Sequence, residues 1–212
     1  MNRRHLFKVG VSGALSIGSP VLANSQLTAY KPTPTESEGP FYPLVAQKDK
    51  DFDLTKIDGQ EVAALGEHIF IHGSVVDTDG NPVEGAMVDL WQANAAGKYA
   101  HPHDSNPALT DENFQGWAII PSGVGGEFRF KTVLPGIYQV GGGWSRPPHI
   151  HFKVTKKGYV ELVTQMYFPG QPLNQTDRLL QRKSEEEQTL MIAEKASDRP
   201  DTFHYRIVIE KV

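Results

Sequence analysis

The 212-residue chain contains no cysteine. Disulfides, thiolate zinc sites, iron–sulfur clusters and cysteine nucleophiles are therefore excluded, and a bound metal would have to be held by His, Asp, Glu or Tyr. An excess of basic residues is also missing, since 21 Lys and Arg stand against 25 Asp and Glu, a net charge of −4. With no basic run, this balance argues against a nucleic-acid partner.

The sequence also lacks a long uninterrupted apolar segment, and residues 1–23 come nearest to one. This segment begins with a basic stretch that contains RRHLFK, continues weakly apolar with three glycines and Pro20, and ends in VLA. It is too short and too polar for a stable membrane span, but it has the layout of a cleaved export signal of the twin-arginine type. The segment predicts a periplasmic or otherwise exported protein. Because that pathway carries folded proteins, it also hints at a cofactor loaded before export.

The remaining chain divides by composition into two parts. Residues 24–68 are rich in Pro, Thr, Ser and Glu, which predicts an extended N-terminal arm without regular structure. From residue 69 to residue 212, short segments rich in β-formers alternate with turn signals such as Asp79-Gly80. Strands are predicted near residues 69–77, 86–92, 127–133, 150–154, 162–168 and 204–210. This pattern predicts an all-β fold, an antiparallel β-sandwich of the prealbumin-like type. The one helical pattern covers roughly residues 175–196, near the C-terminus, and breaks in it are compatible with the sequence.

Two histidines two residues apart, His149 and His151, lie on a predicted strand. Residues i and i+2 of a strand point to the same face, so both imidazoles could reach one metal ion. A His-x-His pair taken alone is more often incidental, but Pro147 and Pro148 stiffen the approach to the first histidine. A second pair, at positions 101 and 103, encloses a proline and is expected to lie in a solvated loop.

Tyr99 and Tyr138 each end a turn-rich stretch, AAGKY and PGIY. A lone tyrosine in such a place is normally a packing residue. Because the reference pKa of a phenol is near 10, only a strong Lewis acid such as iron(III) would hold it as a phenolate. The residues by themselves leave both interpretations open.

Several stretches, taken in order, resemble the intradiol ring-cleavage dioxygenases, and most closely the protocatechuate 3,4-dioxygenase type. The resemblance covers roughly residues 35–212. Its stretches are EGPFY at 38–42, WQANAAGKY at 91–99, DENFQG at 111–116, PGIY at 135–138, RPPHIHF at 146–152 and TQMYF at 164–168. No single stretch is decisive, whereas their joint order and spacing are highly specific.

The resemblance implies a non-haem iron(III) centre held by Tyr99, Tyr138, His149 and His151. It further implies that Tyr138 and His151 are the axial ligands and that Tyr138 can leave the metal and serve as a base. By the same comparison, Arg146 stabilises negative charge on the substrate and Gln165 supports the site from behind the ligands. For Arg146 a surface ion pair is the alternative role, and for Gln165 a purely structural one.

The implied reaction inserts O2 between the two hydroxylated carbons of a catechol and yields a cis,cis-muconate-type diacid. The segment QVGGGWS at 139–145 departs from the family pattern, in which Tyr-Pro-Trp follows the axial tyrosine. Because this segment should border the substrate cavity, the identity of the catechol stays open.

Two other functions are compatible with parts of the sequence. The segment at 73–86 is typical of prealbumin-like sandwich domains, many of which are non-catalytic binding modules. A zinc hydrolase would combine His149 and His151 with His101 or His103, although no metallohydrolase motif is present. The sequence leaves the oligomeric state undetermined, a homo-oligomer included, but it places all four presumptive iron ligands on one chain.

Overall fold

The computed structural model describes residues 29–45, 47 and 49–212. The predicted export signal, residues 1–23, lies outside these residues. Within the described part, no helix is both long and apolar enough to cross a membrane.

The first of two four-stranded sheets carries the strand order β4-β1-β10-β9. Its strands are β1 (His68–Asp77), β4 (Glu127–Val133), β9 (Glu194–Lys195) and β10 (Thr202–Ile209). β1 pairs antiparallel with β4 but parallel with β10, from Phe70 opposite Thr202 to Asp77 opposite Ile209. Among the strand pairs of the described residues, this pair alone departs from the predicted antiparallel arrangement.

The second sheet is antiparallel throughout and has the order β3-β2-β7-β8. Its strands are β2 (Met87–Trp91), β3 (Trp117–Pro121), β7 (His149–Thr155) and β8 (Leu162–Tyr167). On β7, Ile150, Phe152 and Val154 are fully buried in the core shared with the first sheet. Because side chains alternate along a strand, His149 and His151 project from the opposite, outer face.

The core between the sheets is a single apolar cluster to which both sheets contribute. Its largest fully buried members include Phe130 from the first sheet and Phe152 from the second, with ring centroids 6.3 Å apart. Each buried side chain of this size contributes about 2–3 kcal/mol of transfer free energy. The predicted β-sandwich is thus confirmed.

Four strands were not predicted from the sequence. β3 was missed because its side chains, buried at Trp117 and Ala118 and half-buried at Ile119 and Ile120, do not alternate between apolar and polar. The hairpin of β5 (Tyr138–Gly141) and β6 (Trp144–Arg146) turns through glycines with positive φ, and β9 has only two residues. Such short pairings carry too little periodicity to be recognised.

The helical pattern near the C-terminus forms three short pieces rather than one helix. They are two 3₁₀ turns, Pro172–Gln175 and Leu180–Arg182, and the helix α1, Glu185–Met191. Ser184 begins α1 with a capping box, since its hydroxyl accepts from the Glu187 N–H and its own N–H donates to the Glu187 carboxylate. The second 3₁₀ turn begins where the Asp177 carboxylate accepts hydrogen bonds from the N–H groups of Leu179 and Leu180.

The described part of the arm, from residue 29 onward, lies along the sandwich and forms no regular strand. Its backbone is fixed at separate points, such as the Thr33 N–H to the Val208 carbonyl at 3.1 Å and the Glu36 N–H to the Val163 carbonyl at 2.8 Å. The arm thereby crosses the outer face of the second sheet, the face that carries the two histidines.

Candidate metal centre

The side chains of Tyr99, His149 and His151 converge on the outer face of the second sheet. The Tyr99 hydroxyl oxygen lies 3.2 Å from His149 Nε2 and 3.1 Å from His151 Nε2. All three residues are buried. Three donor atoms of the nitrogen and oxygen type are thus close enough together to be ligands of one metal ion.

The orientation of the His149 imidazole is fixed by a hydrogen bond at Nδ1, the nitrogen that faces away from the other donors. His149 Nδ1 lies 2.8 Å from the Pro147 carbonyl oxygen, so this nitrogen carries the proton and the lone pair of Nε2 points to the other donors. Burial, and then the positive charge of Arg146, hold the pKa of His149 well below its usual range. Burial, with His149 and Arg146, has the same effect on the pKa of His151. Both rings are therefore neutral, the form that binds a metal.

His151 is held by stacking rather than by a hydrogen bond to its outer nitrogen. The Trp91 ring lies parallel to its imidazole, with centroids 4.8 Å apart and an interplanar angle of 16°. The two residues are direct partners on neighbouring strands, and Gln165 is the partner of His151 on the other side. Three adjacent strands thus place Trp91, His151 and Gln165 in one row.

Tyr99 lies in a loop and Tyr138 begins β5, and the turns that precede the two tyrosines touch through their backbones. The N–H groups of Gly97 and Gly136 both donate to the Asn94 carbonyl, at 2.9 Å each. A side chain on Gly136 would meet the Gly97 nitrogen at 2.4 Å, so only glycine permits this approach. The tyrosine rings consequently lie 5.6 Å apart between centroids.

Tyr138 lines the same cavity, and its hydroxyl donates to Asp104 Oδ1 over 3.4 Å. Burial and the neighbouring Asp104 carboxylate raise the pKa of Tyr138 to about 12. Burial also raises the pKa of Tyr99. Both phenols are therefore protonated at neutral pH unless a strong Lewis acid binds them.

Arg146 lies beside these groups and is buried. Its Nη1–H points to His149 Nε2 at 3.1 Å, and Nη2 donates to Gln165 Oε1 at 2.8 Å and to the Tyr167 hydroxyl at 2.7 Å. Gln165 in turn donates from Nε2 to the Ser37 carbonyl of the arm at 3.0 Å. The structure therefore places Arg146 and Gln165, both singled out in the sequence, next to the three converging donors.

The arm forms one side of the cavity that contains these groups. Phe41 stacks on Tyr99 at a centroid distance of 4.9 Å, and the Tyr42 hydroxyl donates to the Asp89 carboxylate at 2.7 Å. The cavity, which is partly open to solvent, measures about 270 Å³ and is lined by both tyrosines, both histidines, Arg146 and Gln165. This volume is at the small end of ligand cavities and suits a single aromatic ring.

The second histidine pair lies in a loop, as predicted, but His101 is buried rather than solvated, because Phe41 packs against it at 5.6 Å. His103 is exposed. Among the described residues, no group of three or more His, Asp or Glu side chains is arranged to hold a metal. The geometry thus gives no support to the zinc hydrolase.

Two residues of the site were not singled out from the sequence. Asp177 binds Arg146, with 2.9 Å between Arg146 Nε and Asp177 Oδ2, and Asp104 contacts both tyrosines through the Tyr138 hydroxyl and the Tyr99 N–H. Asp177 follows a polar stretch inside the helical pattern, and its only sequence signal is that an Asp before Arg-Leu-Leu can begin a helical turn.

The comparisons with known proteins agree with this geometry. The family model described as Dioxygenase matches residues 37–210, and the chain belongs to the intradiol ring-cleavage dioxygenases. It is 40% identical over 158 residues to the protocatechuate 3,4-dioxygenase beta chain of Burkholderia cepacia, covering 73% of this chain and 67% of that one. It is 34% identical over 154 residues to catechol 1,2-dioxygenase 1 of Acinetobacter lwoffii, covering 66% of this chain but only 48% of the relative.

Solved structures are also similar. The dioxygenase domain of a dioxygenase carbohydrate-binding protein fusion from Streptomyces sp. SirexAA-E superposes with a TM-score of 0.64 and 26% identity, covering 86% of this chain and all of that one. A 3-chlorocatechol 1,2-dioxygenase from Rhodococcus opacus 1CP has a TM-score of 0.63 at 23% identity, covering 88% of this chain and 75% of that one. The latter likeness shows the shared fold.

Proposed function

We propose that the protein is a non-haem iron(III) dioxygenase that cleaves a catechol with O2 between its two hydroxylated carbons and releases a cis,cis-muconate-type diacid. The observation that carries this proposal is the convergence of the Tyr99 oxygen with His149 Nε2 and His151 Nε2 inside the cavity. Tyr138, which lines the same cavity, completes the proposed ligand set.

The donor set fits iron(III). It holds neutral imidazoles and phenols but no thiolate, and a buried phenol whose pKa is raised loses its proton only to a strong Lewis acid. Bound iron(III) would supply Lewis acidity and a template for the two catechol oxygens. The non-catalytic binding module would leave the convergence of the Tyr99 oxygen with the two histidine nitrogens unexplained.

Tyr138 is suited to receive a proton from the substrate. It is only half-buried, and its hydroxyl has a second partner in Asp104 Oδ1 at 3.4 Å. Held by iron(III), Tyr138 would be a phenolate, and in that form we assign one catechol proton to its oxygen, with Asp104 accepting a hydrogen bond from the O–H that forms. The negative charge that then develops on the substrate must be stabilised by another group of the cavity.

Arg146 is positioned to stabilise that charge. Its Nη1–H now points to His149 Nε2, but a metal ligand has no free lone pair to offer. With Nε2 engaged, the same N–H is left to face the cavity and the substrate, a preorganised electrostatic role. Gln165 holds Arg146 and the arm in register through its two hydrogen bonds.

Iron loading and colour test the proposal. Protein purified with iron should be red to burgundy, because iron(III)–tyrosinate absorbs visible light, and it should consume O2 with at least one catechol in a panel of ortho-diphenols. Tyr99→Phe should shift or weaken the visible band. Tyr159→Phe, a half-buried tyrosine packed on the sandwich core, is the matched control and should keep the band. Colourless iron-loaded protein, or no O2 uptake with any ortho-diphenol, would contradict the proposed function and favour a non-catalytic binding module.

We also propose that the protein is exported, on the strength of residues 1–23 alone. Replacing both Arg3 and Arg4 by Lys should leave the full-length precursor in the cytoplasmic fraction of a bacterial host. Precursor that is processed and exported at the same rate as the wild type would contradict a twin-arginine signal.

A further inference from the structure

The wall of the cavity is mainly apolar once the proposed ligands, Arg146 and Gln165 are set aside. Its remaining members are Ser37, Gly39, Pro40, Phe41, Val140, Trp144 and Leu179. None of these carries a charge. A catechol ring whose two hydroxyls face the donor atoms has only this wall to contact along its other edge.

Apart from the proposed iron, Arg146 is the one cationic group that lines the cavity among the described residues, and it is already paired with a carboxylate. Arg146 Nε donates to Asp177 Oδ2 at 2.9 Å, and Asp177 is fully buried. The Nη2 group of Arg146 is used by Gln165 and Tyr167. A second carboxylate that entered the cavity would lose its hydration and find its counter-ion shared with Asp177, which costs free energy.

Among the described residues, the charged groups around the cavity do not supply a second cationic partner for a carboxylate. Asp104, buried beside Tyr138, is acidic, and Lys98 lies 3.9 Å from it. Arg178 is exposed, and its guanidinium lies 5.2 Å from the centre of the Trp144 ring without lining the cavity. Among the described residues, the apolar wall therefore contains no cationic side chain that could pair with a ring carboxylate.

Resting on the proposed function, we propose that this site selects catechols with uncharged, apolar ring substituents over catechols that carry a ring carboxylate. Phe41, Val140 and Leu179 provide the apolar contacts for such substituents. Selection is set by the missing counter-ion rather than by size.

A matched pair of compounds isolates the charge. Methyl 3,4-dihydroxybenzoate carries a neutral substituent at the position where 3,4-dihydroxybenzoate is anionic at pH 7. Because the ester withdraws electrons more strongly, Kd values without O2 report the effect of charge separately from reactivity. With the iron-loaded protein, kcat/KM for the ester should exceed that for the acid by about tenfold or more. Calorimetric titration without O2 should rank the two Kd values in the same order, which separates binding from turnover.

The possible failures are distinct. If the acid is turned over and bound as well as the ester or better, the inference is overturned while the proposed function stands. If neither these two compounds nor catechol itself supports O2 uptake, the proposed function fails and the inference with it.

A variant with an added cation gives a second test. Val140 lies at the cavity edge and is 43% exposed, so Val140→Lys can be accommodated with its ammonium near the wall. It should raise the ratio of acid to ester kcat/KM by about tenfold, whereas Val140→Met, of similar length but uncharged, should not. An unchanged ratio in Val140→Lys would overturn the electrostatic explanation.

Discussion

The carboxylate of Asp177 accepts a hydrogen bond from Arg146 Nε–H over 2.9 Å, and both side chains are buried. The same carboxylate accepts the N–H groups of Leu179 and Leu180 at the start of a 3₁₀ turn. Asp177 therefore ties the position of the guanidinium to the fold of the segment that follows. Burial alone would lower the pKa of Arg146, but Tyr167 and Asp177 outweigh it and keep the group charged.

Asp177→Asn should separate this positioning from the capping of the turn. The Asn oxygen can still accept from Leu179 and Leu180, while its amide cannot accept from Arg146 Nε–H. We expect kcat to fall roughly 10- to 100-fold with a smaller change in KM, because the misplaced guanidinium stabilises developing charge poorly. Steady-state O2 uptake measures both constants.

Asp111→Asn is the control for Asp177→Asn. Asp111 also accepts backbone N–H groups, from Asn113 at 3.0 Å and Leu65 at 2.7 Å, but it does not line the cavity. An equal loss of kcat in both variants, or a kcat for Asp177→Asn within about twofold of the wild type, would contradict the positioning role.

Tyr42→Phe should loosen the arm without disturbing the metal ligands. The Tyr42 hydroxyl is one of two donors to the buried Asp89, the other being Trp117 Nε1 at 2.7 Å. Burial raises the pKa of Asp89, and these two hydrogen bonds oppose the rise. Losing the hydrogen bond from Tyr42 should lower the free energy of unfolding by about 1–2 kcal/mol. Hydrogen exchange across residues 36–42 should accelerate several-fold, and kcat/KM should fall because Phe41 walls the cavity.

The visible band of the iron protein serves as the internal check for Tyr42→Phe. It should stay at its wild-type position, since Tyr42 is not a proposed ligand, and the Phe ring keeps the packing against Trp91. Unchanged exchange in the arm would show that the Tyr42–Asp89 contact does not hold it.

The sequence predicts the positions of the two histidines in the site better than those of the two tyrosines. His149 and His151 follow from strand alternation alone, because β7 is regular and its other face is apolar. Tyr99 lies in a loop and Tyr138 begins the short strand β5, so no common periodicity relates them, and only the resemblance to the family joined them to the histidines.

Asp177 shows the limit of local patterns. It is 31 residues from Arg146, and the pairing depends on how the segment after β8 folds back over the hairpin. The same applies to the parallel pairing of β1 with β10, because alternation predicts each strand but not its neighbour.

Stability should depend on Asp77 in mildly acidic solution. Burial tends to raise the pKa of Asp77, but hydrogen bonds from Lys211 and Asn81 outweigh it and lower the pKa to about 2. Since the unfolded-state pKa is near 4, the carboxylate stabilises the fold fully above pH 4, and this is lost as pH falls from about 4 to 2. Asp77→Asn should lower the free energy of unfolding by roughly 1–2 kcal/mol at pH 7. In urea unfolding, it should also reduce the dependence of that free energy on pH between pH 4 and pH 2.

Asp79→Asn is the comparison for Asp77→Asn. Asp79 also contacts Lys211, at 3.2 Å, but it is exposed, so its loss should change stability by about 0.5 kcal/mol or less. If Asp77→Asn leaves the slope between pH 4 and pH 2 intact, another carboxylate is responsible for it.

Gly97→Ala should displace the two tyrosine loops from each other. Gly97 has φ +78°, and a Cβ at this position would lie 2.2 Å from the carbonyl oxygen of Ile137, the residue before Tyr138. Gly59, with φ +84° and open space around it, is the matched control, because Gly59→Ala introduces the same backbone strain without the clash. In urea unfolding, we expect Gly97→Ala to lower the free energy of unfolding by about 1–3 kcal/mol more than Gly59→Ala does. Its iron content and visible band should drop as well, because the clash pushes Tyr138 away from Tyr99, whereas Gly59→Ala should keep both. Equal stability and equal iron content in the two variants would mean that the loops can separate at Gly97 without disturbing the site.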